Sequence, residues 1–314
     1  MKIINQFRRL QEGSKVALRY KKYPTEVFCS SGPLDFGIEI LLSSKKSVNK
    51  KYEKFIISTE KRGDKTAVTI QSLGEKEGDL ELFANLIEYV LFELAKKKEA
   101  IASDIKKFID DWLHFSKGKA PEISVAKQVG LFGELIIFSE LIKEFPESNQ
   151  FNNWHGPEGG KVDFIFSDKF GLEVKSRIQP VKDWVSISSV EQLDNDLDGQ
   201  HIAVCDFVSS DSGQTIKEFI NHLLIILNDH DKANEMIQKL SKVGYDYFKH
   251  YSNLIKVSLF RQKFYDTKNG TFPILLKGSD LRIDNIKYDI NIRDLEAVEF
   301  TETLARVRSQ LEQN

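Results

Sequence analysis

Residues 162–176 read VDFIFSDKFGLEVKS, and this stretch decides the fold of the second half of the chain. Two apolar runs flank the polar turn at residues 167–169. Such a pattern is typical of a β-hairpin, here with strands at Val162–Phe166 and Gly171–Ser176.

The register of this hairpin determines which side chains meet. If Phe166 pairs with Phe170, then Asp163 lies opposite Glu173. Because side chains alternate along a strand, Lys175 projects to the same face. The alternate positions point into a core and are Val162, Phe164, Leu172 and Val174. The hairpin is therefore expected to gather two carboxylates and one ammonium on one face.

These three polar residues suit a metal site. Two neighbouring carboxylates repel each other unless a cation or a shared proton lies between them. Carboxylate oxygens are ligands for Mg²⁺ or Mn²⁺, which can polarise a phosphodiester and lower the pKa of an attacking water. Lys175 could orient that water or stabilise charge on the phosphate. Spacing alone favours a plainer interpretation, an exposed hairpin in which Lys175 pairs with Glu173 or Asp163.

A helical stretch upstream strengthens the metal interpretation. Glu134 is the only charged residue in Gly130–Phe138, and its neighbours three and four positions away are glycine or apolar. A buried acid on such a face needs a partner or a cation. The alternative is a carboxylate at a helix–sheet contact with an Arg or Lys partner. Gly130 and Gly133 would permit close approach of the helix to a sheet.

The rest of the second half predicts an α/β core with a mixed sheet flanked by helices. Ser124 is a suitable N-cap for a helix that ends near Phe145, before Pro146. The other expected helices are Thr215–Asn228 and Lys232–Lys242, and the other expected strands are Val185–Ser188, His201–Val208, Ile255–Phe260 and Ile286–Ile292.

The first half predicts a separate α+β domain. Strands at 27–29 and 36–40 flank a turn at 31–33, and strands at 55–57 and 67–70 flank a turn at 62–64. A helical region follows from Leu80 to about Phe115, with an apolar face formed by Leu82, Leu86, Tyr89, Val90 and Leu94. A linker at 116–121 divides the chain into domains 1–120 and 121–314.

Composition is that of a globular protein, with 41% hydrophobic and 29% charged residues. No apolar run approaches the length of a membrane span or a signal peptide, so we expect a cytoplasmic protein without membrane contact. Cys29 and Cys205 are expected to be free thiols, with one disulfide as the alternative. The net charge of −2 neither supports nor excludes a nucleic-acid substrate.

Five ordered blocks of the sequence resemble a known group, the PD-(D/E)XK motif proteins of bacteria. The blocks are Gly130–Glu134, Trp154–Pro157, Val162–Phe164, Leu172–Lys175 and Ile187–Asp194. The resemblance implies a restriction-endonuclease-like fold and an endonuclease that cleaves DNA with Mg²⁺ or Mn²⁺, often in restriction or phage defence. Val162 stands where the motif name has proline.

The resemblance also implies roles for individual residues. Asp163 and Glu173 would bind the metal, Lys175 would serve the attacking water, and Glu134 would assist the metal from the helix. The residues that would support the site or touch substrate are Gln192, Ser188 and Ser189, for which a capped turn after a strand is the alternative.

Two other functions remain open at this point. One is a non-catalytic nucleic-acid-binding or scaffold subunit of a defence complex, because fold does not fix function. The other is an enzyme acting on a different phosphate substrate. Besides DNA, the expected partners are a second copy of the chain, which would allow both strands to be cut, and proteins of a defence system.

Overall fold

The computed structural model describes residues 3–18, 23–29, 35–43, 47–74, 77–116, 122–167, 169–180, 182–227, 229–249, 251–269, 272–273 and 286–312. The chain divides into two compact units, Met1–Pro121 with Phe248–His250, and Glu122–Tyr247 with Tyr251–Asn314. Three expected features lie partly or wholly outside the described residues: the turn at 31–33, Asp168 of the hairpin turn, and residues 117–121 of the linker. In the described part, no helix is long and apolar enough to cross a membrane.

The first unit is an antiparallel sheet with helices. Its elements are α1 (Ile3–Phe7), β1 (Lys15–Leu18), β2 (Thr25–Cys29), β3 (Phe36–Leu42), β4 (Lys50–Lys51), β5 (Phe55–Arg62), β6 (Lys65–Ser72), α2 (Glu77–Lys96) and α3 (Ala102–Ser116). The strand order is β1-β2-β3-β6-β5-β4. The apolar side chains of the sheet and helices form one core, and Gly63 takes a positive φ of 65° at the β5–β6 turn.

The helical region of this unit differs from expectation in two ways. It is two helices, because the segment between Lys96 and Ala102 is not helical. Leu82 is exposed, and the buried face of α2 is formed instead by Phe83, Leu86, Ile87, Val90 and Leu94, with Tyr89 half-buried. An apolar residue at helical spacing predicts the core side only approximately, since the face is set by what packs on it.

The second unit contains a mixed sheet. Its elements are α4 (Val125–Glu144), α5 (Gln150–Asn153), β7 (Phe164–Phe166), β8 (Phe170–Ile178), β9 (Trp184–Ile187), β10 (Gly199–Gln214), α6 (Ile216–Leu227), α7 (His230–Lys242), β11 (Val257–Asp266), β12 (Tyr288–Asn291) and α8 (Phe300–Leu311). Four strands are ordered β11-β10-β8-β7, with β10 parallel to β8 and the other pairs antiparallel. The predicted α/β class with a mixed sheet is confirmed.

Each face of this sheet is covered by a different layer. On one face Phe132 of α4 contacts Phe207 of β10 and Phe219 of α6, at ring-centroid distances of 5.6 and 5.2 Å. On the other face, β9 and β12 form a two-stranded sheet whose Val185 and Ile290 share a core with the β10 side chains. Glu173, Lys175 and Arg177 of β8 face this second layer.

Most expected elements of the second unit are present with shifted bounds. The N-cap of α4 is confirmed, since Ser124 Oγ accepts a hydrogen bond from Lys127 N at 3.3 Å. The strand expected at Val162 begins at Phe164, and β10 extends well beyond Val208. Helix α8 was not expected at all. Both cysteines are free and buried, which confirms the thiol interpretation.

Candidate active site

Helix α4 approaches β8 closely enough to bring Glu134 to the sheet. A Cβ on Gly133 would lie 1.9 Å from Ser176 Oγ and 3.2 Å from Val174 Cγ1, so only glycine permits this contact. The expectation for Gly130 was wrong, because nothing lies within 4 Å of a Cβ built there. Of these two glycines, Gly133 is therefore the one that permits the close helix–sheet approach next to Glu134.

The partner of Glu134 is a tryptophan. Trp154 Nε1 donates to Glu134 Oε2 at 2.8 Å, in place of the Arg or Lys partner considered from sequence. Trp154 is fully buried, and its ring lies 5.2 Å from Phe138 and 6.3 Å from Phe164. Lys239 Nζ donates a hydrogen bond to the Trp154 carbonyl at 2.5 Å. A neutral indole N–H orients the carboxylate without neutralising it.

Asp163 lies just before β7, at the mouth of the hairpin. The predicted pairing of Phe166 with Phe170 is confirmed, but the ladder ends at Phe164, so Asp163 is not a strand residue. Its Oδ2 accepts from Val174 N at 2.7 Å, and its carbonyl accepts from the amides of His155 and Gly156 at 2.7 and 3.0 Å. The carboxylate is thereby fixed beside β8.

Buried Glu173 and partly buried Lys175 form an ion pair on β8. Lys175 Nζ contacts Glu173 Oε1 at 2.7 Å, and Glu173 is 2% exposed. The plainer interpretation is therefore right that Lys175 pairs with Glu173 and wrong that the hairpin face is exposed. Gln192 joins both groups: its Nε2 donates to Glu173 Oε1 at 2.8 Å, and its Oε1 accepts from Lys175 Nζ at 2.9 Å.

The turn that carries Gln192 is held by its neighbours. Ser188 contributes its backbone amide, which donates to Gln192 Oε1 at 2.9 Å, and its side chain is exposed. Ser189 precedes the short 3₁₀ turn at Val190–Gln192 and forms no side-chain cap. Gln200 Nε2 donates to the Gln192 carbonyl at 2.6 Å. Of the three supporting residues expected from sequence, only Gln192 brings its side chain to the acids.

The acids of the helix and the hairpin converge at Gly156. A Cβ on this residue would lie 2.5 Å from Glu134 Oε2 and 3.0 Å from Asp163 Oδ1. Gly156 begins the 3₁₀ turn Gly156–Glu158, where its lack of a side chain leaves room for both carboxylates. The Trp154–Pro157 block thus forms the surface that Glu134 and Asp163 contact.

Burial and mutual repulsion make these carboxyl groups hard to ionise. Burial raises the pKa of Glu173, and the nearby Asp163 charge raises it further, against the opposing effect of Lys175. Burial and the Asp163 charge also hold the pKa of Glu134 well above its ordinary value. Burial likewise raises the pKa of Asp163. All three groups would bind a cation or a proton readily.

The pattern of hydrogen bonds leaves one oxygen of each acid available. Glu134 Oε1 and Asp163 Oδ1 accept no hydrogen bond from the described residues, and Glu173 Oε2 is buried without a partner. Among the described residues, no three His, Cys, Asp or Glu side chains are grouped so that they could hold a metal ion directly. Mg²⁺ retains several waters and needs few protein oxygens, so the residues present fit this ion.

Some features of this site were not predicted from sequence. The hydrogen bond of Trp154 to Glu134 joins residues 20 positions apart, and Lys239 is further still. The signal available was the Trp154–Pro157 block itself, where a tryptophan beside a glycine combines a buried N–H donor with space for a neighbour.

The chain matches a known protein family. A family model described as "Putative PD-(D/E)XK family member, (DUF4420)" matches residues 15–293. Searches of curated proteins and of solved structures found no match. PD-(D/E)XK proteins are typically nucleases and usually use divalent metals. The matched segment spans most of the 314 residues of the chain, so the chain belongs to this PD-(D/E)XK family of the nuclease-like superfamily.

Proposed function

We propose that this protein is a metal-dependent endonuclease that hydrolyses phosphodiester bonds of DNA. The observation that carries the proposal is the Glu173 carboxylate. One of its oxygens accepts hydrogen bonds from Lys175 and Gln192, while the other is buried and accepts none from the described residues. Burying such an oxygen costs free energy unless a cation or a proton binds to it. Asp163 and Glu134 add further negative charge nearby.

The residues that would hold the ion, directly or through its bound waters, are Glu134, Asp163 and Glu173. Bound Mg²⁺ or Mn²⁺ would polarise the phosphodiester and lower the pKa of an attacking water. The second oxygens of the acids are already fixed by Trp154, Val174 and Lys175. This leaves the orientation of each carboxylate settled before substrate arrives, as a preorganised site requires.

Lys175 is suited to act on the attacking water. Its ammonium has three N–H donors, and two of them are directed to Glu173 Oε1 and Gln192 Oε1. The third is left for the water or for negative charge developing on the phosphate. Gln192 fixes the ammonium and Glu173 relative to each other, which makes it a positioning residue.

Cleavage of supercoiled plasmid and linear DNA with Mg²⁺ or Mn²⁺ tests the proposal. A closed circle has no ends, so its cutting distinguishes an endonuclease from an exonuclease. We expect Glu173→Ala and Lys175→Ala to lower the rate by about 10²–10³-fold or more. Matched controls are Glu302→Ala and Lys232→Ala, which remove exposed charges on α8 and α7. No cutting by folded wild type, on methylated or unmethylated DNA, would favour a non-catalytic subunit.

The resemblance supports a role in restriction or phage defence within the cytoplasm. Cells that express the wild type should then plate phage less efficiently than cells that express Glu173→Ala. Cutting of both strands is readily achieved by two copies related by symmetry. We include a homodimer in the proposal, and a monomeric mass by light scattering in the presence of DNA would remove it.

A further inference from the structure

A second charged cluster lies on the same face of β8, two residues beyond Lys175. Arg177 forks onto Asp206 of β10, with Nε–Oδ1 and Nη2–Oδ2 distances of 2.6 and 2.9 Å. Arg261 of β11 donates to the same carboxylate, from Nε to Oδ2 at 2.8 Å. Asp206 is 1% exposed, so one buried carboxylate holds two guanidinium groups.

The cluster extends to the surface through a second aspartate. Asp183 accepts from Arg261 Nη2 at 3.2 Å and from Arg293 Nε at 3.5 Å. Three arginines therefore share two aspartates, which leaves positive charge in excess. Arg261 Nη1 and the terminal nitrogens of Arg293 make no hydrogen bond to any described residue, and the Arg293 side chain is 68% exposed. Guanidinium N–H groups of this kind bind phosphate.

An exposed tryptophan lies beside these arginines. Arg177 Nη1 donates to the Trp184 carbonyl at 2.9 Å, and Trp184 is 45% exposed. Trp184 pairs with Asn291 across the small sheet, on its outer side. A backbone hydrogen bond from Ile292 N to the Asp183 carbonyl, at 2.8 Å, extends the β9–β12 pairing by one residue. Exposed Arg293 therefore follows Asn291 on the outer side of the small sheet.

Strand β9 connects this cluster to the candidate active site. Trp184 at its start contacts Arg177, while Ser188 just beyond its end contacts Gln192, which holds Lys175. Four residues of extended strand span about 13 Å. At about 3.4 Å of axis per base pair, that distance corresponds to roughly four steps of duplex DNA. The cluster and the acids thus lie within the reach of one bound DNA segment.

We propose that the arginine–tryptophan surface, formed by Arg177, Arg261, Arg293 and Trp184, binds the DNA strand that runs away from the cleavage centre. The inference rests on the proposed function, for which it supplies a substrate-binding surface. Arg261 and Arg293 contact phosphate through the N–H groups that bond to no described residue, and Arg177 shares Asp206 with Arg261. Trp184 packs against a sugar or an unpaired base. Asp289 accepts a hydrogen bond from Ser186 Oγ midway along β9. Its negative charge repels phosphate there, so phosphate contact is confined to the Trp184 end.

The chain contains its own probe for this surface. Its three tryptophans all lie in described residues, and Trp112 and Trp154 are buried while Trp184 is exposed. Quenching of tryptophan fluorescence by DNA therefore reports mainly on Trp184, and Trp184→Phe should abolish most of it. A short DNA duplex and its single strand serve as the probes. Binding is measured in Glu173→Gln protein, so that cleavage does not interfere.

Variants at the surface give the quantitative test, and their affinities are measured by the anisotropy of dye-labelled DNA, because Trp184→Ala lacks the tryptophan probe. We expect Trp184→Ala to weaken binding roughly fivefold to tenfold, as for loss of one stacking contact. Arg293→Gln should weaken it about twofold to fivefold and lower the slope of log affinity against log salt by about 1. Arg306→Gln, at an exposed arginine of α8, should bind as its parent does.

The outcomes separate this inference from the proposed function. Quenching that Arg293→Gln weakens and Arg306→Gln does not weaken supports the surface, even if wild type fails to cleave DNA. Equal binding by parent, Trp184→Ala and Arg293→Gln overturns it, even if wild type cleaves DNA well. Failure of the Glu173→Gln protein to bind either DNA also overturns it.

Discussion

Two charge clusters on one face of β8 are out of balance in opposite directions. Around Glu173, in the part of the chain that the structure describes, three carboxylates share the ammonium of Lys175, and one buried oxygen accepts no hydrogen bond. Around Asp206, two guanidinium groups share one buried carboxylate whose oxygens are both used. A buried charge is costly unless it is paired, so the first cluster calls for a cation and the second for an anion at its exposed edge.

The difference arises from what packs beside the strand and not from the strand itself. Glu173, Lys175 and Arg177 follow each other at every second position of β8. Helix α4 and the bend before β7 bring two further acids to the first end. Strands β10 and β11 bring Asp206 and Arg261 to the second. One polar stripe thus acquires two opposite functions from its neighbours.

Removal of a carboxylate should have opposite effects in the two clusters. Asp206→Ala removes the buried carboxylate that pairs the mostly buried Arg177 and the partly exposed Arg261, and it should cost about 3–5 kcal/mol of unfolding free energy. Glu173→Gln removes a repelled charge and should leave the metal-free protein as stable as wild type or more stable at pH 8. Urea denaturation of both variants in chelator provides the measurement. Equal losses in the two variants would break the comparison.

The hydrogen bond from Trp154 should matter for metal binding more than for folding. Trp154→Phe keeps a buried aromatic ring but removes the donor to Glu134 Oε2. Groups that orient metal ligands typically contribute 10–100-fold to affinity, and we expect a loss of about that size for Mn²⁺, measured by calorimetry. The matched control is Trp184→Phe, which makes the same change at the exposed tryptophan. Similar losses in both variants would contradict a role for the Trp154 donor.

The acid cluster could be largely predicted from sequence because its parts follow local rules. Alternation along a strand placed Glu173 and Lys175 on one face, and the Phe166–Phe170 register is as expected. Glu134 was conspicuous as the single charge in an apolar helical stretch. These inferences need only the periods of helix and strand.

The arginine cluster could not be predicted, since its contacts join distant parts of the chain. Arg177 and Asp206 are 29 positions apart, and Arg261 lies 55 beyond Asp206. No local pattern fixes which arginine meets a given aspartate across parallel and antiparallel ladders. Helix α8 was missed for a related reason: only its Thr303 and Val307 are buried among the described side chains of a mostly polar segment.

The metal-free protein should lose stability as the pH rises. Burial and the Asp163 charge raise the pKa of Glu173 from 4.5 to about 8, so the native state holds a proton that the unfolded state has released. Stability from this group is complete below about pH 4.5 and is lost as the pH approaches 8, at about 1.4 kcal/mol per unit of pKa shift. Denaturation in chelator should give a flatter profile for Glu173→Gln.

Added Mg²⁺ should remove this dependence, because the cation replaces the proton between the carboxylates. His201 provides an internal contrast. Burial lowers its pKa to about 4, so its contribution to stability is complete above about pH 6.5 and is lost as the pH falls. A wild-type profile that keeps rising to pH 8 in chelator would contradict the excess of carboxylates around Glu173.

The smallest expected change separates the site from the fold. Gly156→Ala places a methyl group 2.5 Å from Glu134 Oε2, and this end of a side chain can move aside at little cost in stability. We expect Mn²⁺ affinity to fall about threefold to tenfold while the melting temperature changes little. Gly130→Ala meets nothing within 4 Å and should stabilise α4 by about 0.5–1 kcal/mol with unchanged metal affinity. If Gly156→Ala bound metal as tightly as wild type, Glu134 and Asp163 would not be joint ligands, and the negative cluster would reduce to Glu173 with Lys175.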